Sequence, residues 1–308
     1  MARCFVTREL PGPALDHLRE VHEVDVWPER LPPPYDELCR RTAEAEGLLS
    51  TLTDRVDAEL IEACPLLHAI ANYAVGYDNI DLAAASARGI QIGNTPDVLT
   101  DATADLTFAL LLAAARKLPE AIRAVLDDDW PTWEPGRYLG YDVHGATLGI
   151  VGFGRIGRAV ARRAEGFEMR VLTSGRGRGP DFDRLLEESD FVSLHCPLTP
   201  ETRNLIDAAA LDRMRPNAVL VNTARGPIVD HRALRWALEA RVIAGAALDV
   251  TDPEPLPAND PLLQAPNLIV APHIGSATHS ARERMATLAV ENLLAALDGK
   301  PMPHQVTG

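Results

Sequence analysis

Cysteine is scarce in this sequence of 308 residues: the four, Cys4, Cys39, Cys64 and Cys196, form no CxxC pair and no Cys/His spacing that would suit a metal. A chain of this length does not need disulfides to fold, so a reduced, cytoplasmic protein is expected. Basic residues are also in deficit, because 30 lysines and arginines against 44 aspartates and glutamates leave a formal net charge of -14. That balance argues against nucleic acid or an anionic membrane surface as the main partner. Long apolar runs are missing too. Stretches such as Phe108 to Ala115 fall far short of a membrane span. Charged Arg8 and Glu9 interrupt the first residues before an export signal could form. What is present has globular proportions: 46% apolar and 24% charged residues exclude disordered, collagen-like and coiled-coil chains. The length suits one or two domains.

From Cys4 to about Gly89, short apolar runs (Cys4-Phe5-Val6, Gly47 to Ser50, Leu67 to Ala71) alternate with amphipathic stretches such as Asp36 to Glu46 and Asp57 to Ala63. This alternation predicts βα units on a parallel sheet, and Pro32-Pro33-Pro34 predicts a loop. One long helix is expected over Leu99 to Leu118, opened by Thr100 or Asp101 and apolar on most faces, so that it needs cover on several sides. A second βα series starts at Thr147 to Val151. Further strands are read at Met169 to Thr173, Phe191 to His195, Ala218 to Asn222, Ala244 to Val250 and Leu268 to Ala271. Six strands of this kind outline a doubly wound domain. A last helix over Ser276 to Leu297, stopped by Gly299 and Pro301, is long enough to return to the first domain. The expected class is α/β with two doubly wound parallel sheets. A flavodoxin-like substrate domain would comprise residues 1–98 and 283–308, and a Rossmann domain residues 99–282.

The chemistry begins at Gly152-Phe153-Gly154-Arg155-Ile156-Gly157, a glycine fingerprint that follows a predicted strand and opens a predicted helix. The first glycine permits a tight turn, the second lets a pyrophosphate approach the backbone, and the third lets helix and strand pack closely. Free N–H groups at the helix start then bind the anion. About 20 residues further on, an NAD enzyme carries an acid for the ribose 2′-hydroxyl. Here the stretch from Arg170 to Arg178 contains none, and Ser174, Arg176 and Arg178 offer donors suited to a 2′-phosphate instead. NADP(H) is therefore the expected cofactor, with NAD(H) left open.

Beyond this fingerprint, four long segments stand in order: Tyr73-Ala74-Val75-Gly76-Tyr77-Asp78-Asn79-Ile80-Asp81, Asn222-Thr223-Ala224-Arg225-Gly226-Pro227-Ile228-Val229-Asp230, Ala247 to Leu256, and Ala271-Pro272-His273-Ile274-Gly275-Ser276. With the glycine turn they resemble the D-2-hydroxyacid dehydrogenases nearly end to end. The segment Trp130-Pro131-Thr132-Trp133 and the turn Thr173-Ser174-Gly175-Arg176 are most similar to the glyoxylate/hydroxypyruvate reductase branch.

Reducing a 2-keto acid needs a cation for the carboxylate, a proton donor for the ketone oxygen and a hydride donor close to the carbonyl carbon. Arg225, following a strand, can hold a carboxylate with two parallel hydrogen bonds. His273, following another, can protonate the developing alkoxide, with Glu254 beside it to fix the ring. The resemblance matches this pair to the family's histidine and glutamate. It also implies cofactor contacts from Cys196, Pro197, Thr223, Ala224, Asp249 and Gly275, and a substrate carboxylate met by the backbone of Val75 and Gly76. No metal is expected, since hydride transfer from a nicotinamide needs none. The Asp127-Asp128-Asp129 run reads as a solvated loop. A small 2-keto or 2-hydroxy acid is the expected partner, in a homodimer implied by the resemblance. Trp130 and Trp133 would lie at its interface, although core packing would account for them equally. Another D-2-hydroxy acid or phosphite as substrate, or a nucleotide-sensing protein without turnover, stays open beside the reductase reading.

Overall fold

The computed structural model describes residues 1–175 and 177–306. The chain forms two compact units, Met1–Leu99 with Ala277–Gly308, and Thr100–Ser276. No helix among the described residues is long and apolar enough to cross a membrane.

The first unit alternates strand and helix: β1 (Arg3–Val6), α1 (Ala14–Val21), β2 (Glu23–Val26), α2 (Tyr35–Thr42), β3 (Gly47–Thr51), α3 (Ala58–Ala63), β4 (Ala69–Tyr73), α4 (Leu82–Ala87) and β5 (Gln91–Gly93). The strands pair in parallel in the order β2-β1-β3-β4-β5. All of β4 and nearly all of β3 are buried, as central parallel strands covered on both faces must be. Aspartates start two of these helices, α3 and α4. Asp57 accepts from the Leu60 N–H at 3.0 Å and Asp81 from the Ala84 N–H at 2.9 Å, satisfying donors that a helix start leaves open.

The second unit begins with α5 (Thr100–Ala115) and α6 (Leu118–Leu126). It continues through β6 (Thr147–Val151), α7 (Arg155–Glu165), β7 (Arg170–Ser174), α8 (Pro180–Glu188), β8 (Phe191–Leu194), α9 (Ala208–Arg213), β9 (Val219–Asn222), α10 (His231–Glu239), β10 (Gly245–Leu248) and β11 (Leu268–Val270). Its six parallel strands run β11-β10-β9-β8-β6-β7. The sequence shows no internal repeat, yet both sheets order their first five strands alike. In the second unit the winding reverses between β6 and β8, and the crevice at such a reversal is where ligands of open α/β sheets bind.

Of the helix expected over Leu99 to Leu118, α5 covers Thr100–Ala115, and a separate helix, α6, begins at Leu118. The Pro119 ring would clash with the Ala115 carbonyl and cannot donate to it, so the helix cannot continue. Lys117 turns left-handed with φ 49°, and the Ala115 carbonyl accepts from the Tyr141 N–H at 2.9 Å instead. The remaining α5 is buried on several sides, with Ala104, Phe108 and Leu111 packed among Val160, Val221 and Ala247. Burying a side chain the size of Phe108 or Leu111 contributes about 1.5–3 kcal/mol.

The last helix, α11 (His279–Leu297), starts three residues later than its sequence pattern suggests, because Thr278 caps it by accepting from the Ala281 N–H at 3.1 Å. It belongs wholly to the first unit. The domain boundary expected at 283 would have cut this hydrogen-bonded helix, and the observed one, before Ala277, does not.

Candidate functional site

The candidate residues of the second unit gather at one edge of its sheet, just beyond the carboxyl ends of β6 to β11. After β6, Gly152 has φ 91°, and a Cβ there would lie 2.5 Å from the Cys196 nitrogen. No other residue would permit β6 and the chain leaving β8 to approach so closely. A Cβ on Gly157 would sit 2.3 Å from the Gly152 carbonyl oxygen, so this glycine closes the first turn of α7 against the strand. Between them, Gly154 caps α7 and faces no heavy atom within 4 Å of a would-be Cβ. Two closed glycines around an open one, at the start of an 11-residue helix that Arg155 and Ile156 begin, form a cradle that a pyrophosphate fits. Cys196 is buried as a wall residue, and the Pro197 carbonyl is held by the Thr202 hydroxyl at 2.7 Å. Burial pushes His195 down to about 3, so the imidazole beside this turn stays neutral.

Ser174 ends β7, one residue beyond the predicted strand. It is buried, and its Oγ has no hydrogen-bond partner among the described residues. Arg176 lies outside the described residues. Arg178, read from the sequence as a donor to a phosphate, points elsewhere in this structure. Its Nη2 bonds Asp207 Oδ2 at 2.6 Å and the Leu205 carbonyl at 3.2 Å, and Asp207 in turn caps α9.

Past β10, Asp249 is only 1% exposed. Its two oxygens accept from the Ile274 and Gly275 N–H groups, each at 2.8 Å, while its own carbonyl accepts from the His273 N–H at 2.8 Å. Burial pushes the Asp249 carboxyl above the usual range, against the pull of those N–H donors and of His273. Three bonds thus staple the segment after β11 to the end of β10. Gly275 fits because a Cβ would press within 3.2 Å of Asp249 Oδ2. The staple holds His273, whose φ is 54°, with Nδ1 in a short hydrogen bond to Glu254 Oε1. A carboxylate only accepts, so Nδ1 donates and Nε2 is the ring nitrogen left for chemistry. The side chains of His273 and Glu254 are 24% and 32% exposed, partly sheltered yet reachable by a ligand.

Arg225 follows β9 in extended conformation, at the start of a short turn over Gly226–Ile228. Asn222, fully buried, orients it: Nδ2 donates to the Arg225 carbonyl at 2.9 Å and Oδ1 accepts from the Ala224 N–H at 3.0 Å. Sequence reasoning passes over Asn222, although its place as the last residue of a buried strand is a signal. It also passes over Thr107 on α5, whose hydroxyl lies 3.0 Å from that of Thr223.

The family model for the NAD-binding domain of D-isomer specific 2-hydroxyacid dehydrogenases matches residues 108–275, over half of the chain. The chain belongs to the D-2-hydroxyacid dehydrogenases. It is thereby a nicotinamide-dependent oxidoreductase. Among the relatives of this dehydrogenase, the glyoxylate reductase of Korarchaeum cryptofilum is 51% identical over 316 residues, which cover 99% of this chain and 95% of that one. The TT0316 protein of Thermus thermophilus superposes with a TM-score of 0.94 at 51% identity, covering 99% of this chain and all of the other. The NADPH-dependent glyoxylate/hydroxypyruvate reductase of Sinorhizobium meliloti, solved with NADP and malonate, superposes with a TM-score of 0.88 at 32% identity over 99% and 97% of the two chains. In the first unit of this D-2-hydroxyacid dehydrogenase, Ala74 and Val75 bend the chain after β4, and Val75 and Gly76 are half-buried there.

Proposed function

We propose that this dehydrogenase reduces glyoxylate and hydroxypyruvate to glycolate and D-glycerate, with NADPH as the preferred hydride source. The observation that carries the reading is the His273–Glu254 pair, stapled by Asp249 on the same sheet edge as the glycine cradle and Arg225. Gly152, Gly154, Arg155, Ile156 and Gly157 would hold the pyrophosphate, with Cys196, Pro197, Thr223, Ala224, Asp249 and Gly275 along the rest of the cofactor. When bound, the nicotinamide supplies a hydride to the carbonyl carbon. Arg225 grips the substrate carboxylate with paired hydrogen bonds and so fixes which face of the carbonyl is presented. His273 Nε2 gives a proton to the carbonyl oxygen as charge builds there, and Glu254 holds the imidazolium against rotation. The backbone N–H groups of Val75 and Gly76 are assigned, from the family resemblance, to binding the substrate carboxylate. The glyoxylate reductases among the relatives support the substrate class.

NADPH preference rests on the missing acid after β7, the orphaned Ser174 hydroxyl, and Arg176 and Arg178. Arg178 would have to exchange Asp207 for a phosphate oxygen, so Arg176 is assigned the larger share. Initial rates with NADPH and NADH are expected to favour NADPH by about tenfold or more in kcat/KM, the value of one charge-assisted hydrogen bond or two. Arg176→Ala is expected to bring the ratio close to one. A wild type that prefers NADH would overturn the loop argument while keeping the enzyme, and turnover of neither 2-keto acid would overturn the substrate.

A homodimer is part of the proposal. On α6, Leu118, Ile122, Val125 and Leu126 are 49 to 74% exposed along one face, and Trp130 and Trp133 follow at 62% and 78%. Large apolar side chains exposed in this number on one short stretch support an interface there. Light scattering is expected to give twice the chain mass, and Val125→Glu with Leu126→Glu to give the single mass; a wild type running at the single mass would sink the dimer.

A further inference from the structure

The bend after β4 has an unusual hydrogen-bond pattern in the first unit. Four successive carbonyls are all held from inside: Ala74 by the Thr95 N–H at 2.9 Å, Val75 by Asn94 Nδ2 at 2.8 Å, Gly76 by Asn72 Nδ2 at 2.9 Å, and Tyr77 by the Ile80 N–H at 3.0 Å. The N–H groups of Val75, Gly76 and Tyr77 donate to nothing among the described residues. These two facts are linked. In a trans peptide the carbonyl of one residue and the N–H of the next point in opposite directions, so a carbonyl held inward turns the following N–H outward.

The holding side chains are themselves braced. Asn72 is fully buried, accepts from the Ser50 hydroxyl at 3.1 Å and donates also to Asn79 Oδ1 at 3.1 Å. Asn79 in turn donates to the Thr51 and Asp54 carbonyls at 3.1 and 3.0 Å, tying the bend to the end of β3. Asn94 is fixed through its own backbone: its carbonyl accepts from Asn292 Nδ2 of α11 at 2.9 Å and its N–H donates to the His304 carbonyl at 3.2 Å. Asn292, also fully buried, accepts from the His304 N–H at 2.9 Å. A backbone turn secured on three sides presents a row of N–H groups that needs no reorganisation to receive an anion.

We propose that Asn94 and Asn72 are positioning residues for the substrate carboxylate, setting the peptide planes of the 75–77 bend so that its N–H groups form a ready anion nest. This rests on the assignment of Val75 and Gly76 to the carboxylate under the proposed function. Asn94 governs the Gly76 N–H directly, and Asn72 governs that of Tyr77.

The test is Asn94→Ala, assayed with saturating NADPH, using oxalate as an unreactive carboxylate probe. The KM for glyoxylate and the oxalate dissociation constant from calorimetry are expected to rise together by about tenfold, the loss of one charge-assisted bond. kcat should change by less than about threefold and NADPH affinity not at all, since the hydride and proton steps lie elsewhere. Asn94→Gln, which keeps the carboxamide donor, should recover most of the loss. KM and oxalate affinity both within twofold of wild type would overturn the proposal, even with a lowered melting temperature, because that combination describes a purely structural asparagine. Should Asn94→Ala fail to fold, Asn72→Asp removes the donor to the Gly76 carbonyl while keeping the acceptor for Ser50, and the same two constants decide. Oxalate binding needs no turnover, so a wild type that reduces no 2-keto acid overturns the proposed function and leaves the clamp to be judged on the oxalate ratio.

Discussion

Replacing His273 with glutamine is expected to lower kcat for glyoxylate reduction by about 10³-fold, within the range that a positioned general acid contributes. Affinity for NADPH should stay within about twofold, because the staple through Asp249 uses the His273 backbone N–H and not its ring. Glutamine is the informative replacement. It fills a similar space and can still hydrogen-bond, but it cannot release a proton, so the loss isolates proton transfer from packing. Glu254→Gln should cost less, about tenfold, since it leaves an acceptor for His273 Nδ1 and removes only the charge that steadies the imidazolium. Steady-state rates followed by nicotinamide absorbance, with NADPH binding measured by fluorescence titration, check both. A His273→Gln enzyme within tenfold of wild type in kcat would remove His273 from the chemistry, and some other group would then have to supply the proton.

The parts of this molecule that can be read from sequence are those encoded by neighbours along the chain. The strand Thr147–Val151, the glycine turn after it and the start of α7 form one contiguous signal, because strand end, turn and helix start are set by adjacent residues. The placement of Arg225, Asp249 and His273 just past strand ends follows from the same local logic, and the two-sheet α/β class follows from repeating it. What escapes depends on partners distant in sequence. Arg178 looks like a free cation beside a nucleotide turn until Asp207, 29 positions away, is seen to hold it. Asn94 sits in an unremarkable segment, and its use depends on a carbonyl 19 positions earlier and a helix nearly 200 positions later. The unexpected α6 is a different kind of miss. Pro119 reads as a stop for a helix ending at Leu118, yet in the first turn of a new helix it gives up only an N–H that has no partner there, so the same residue also starts α6. Three-residue β5 carries too few residues for alternation to show.

Arg225 should be as sensitive as His273, for a different reason. Arg225→Leu is expected to lower kcat/KM for glyoxylate by about 10³-fold, or about 4 kcal/mol, the cost of leaving a sheltered carboxylate without its charge partner. Arg225→Lys should recover only part of this, because an ammonium is a point charge and cannot give two parallel hydrogen bonds that fix the plane of the carboxylate. Orientation matters here as much as charge. The backbone around Arg225 is fixed on its amino side by Asn222 Oδ1 on the Ala224 N–H, and on its carboxyl side by Asn222 Nδ2 on the Arg225 carbonyl and by Gly226, where a Cβ would lie 1.9 Å from the Thr251 carbonyl oxygen. A guanidinium on so constrained a backbone presents its fork in a set direction, and with a small substrate such as glyoxylate no other group is large enough to restore the alignment. The loss is therefore expected mainly in KM for the leucine variant and in kcat for the lysine variant, where the carboxylate still binds but the carbonyl carbon sits wrongly for the hydride. Stereochemical analysis of the product of hydroxypyruvate reduction sharpens the test, since a loosened carboxylate lets the carbonyl turn its other face. A lysine variant that keeps full kcat and yields D-glycerate alone would show that Arg225 contributes charge and not alignment.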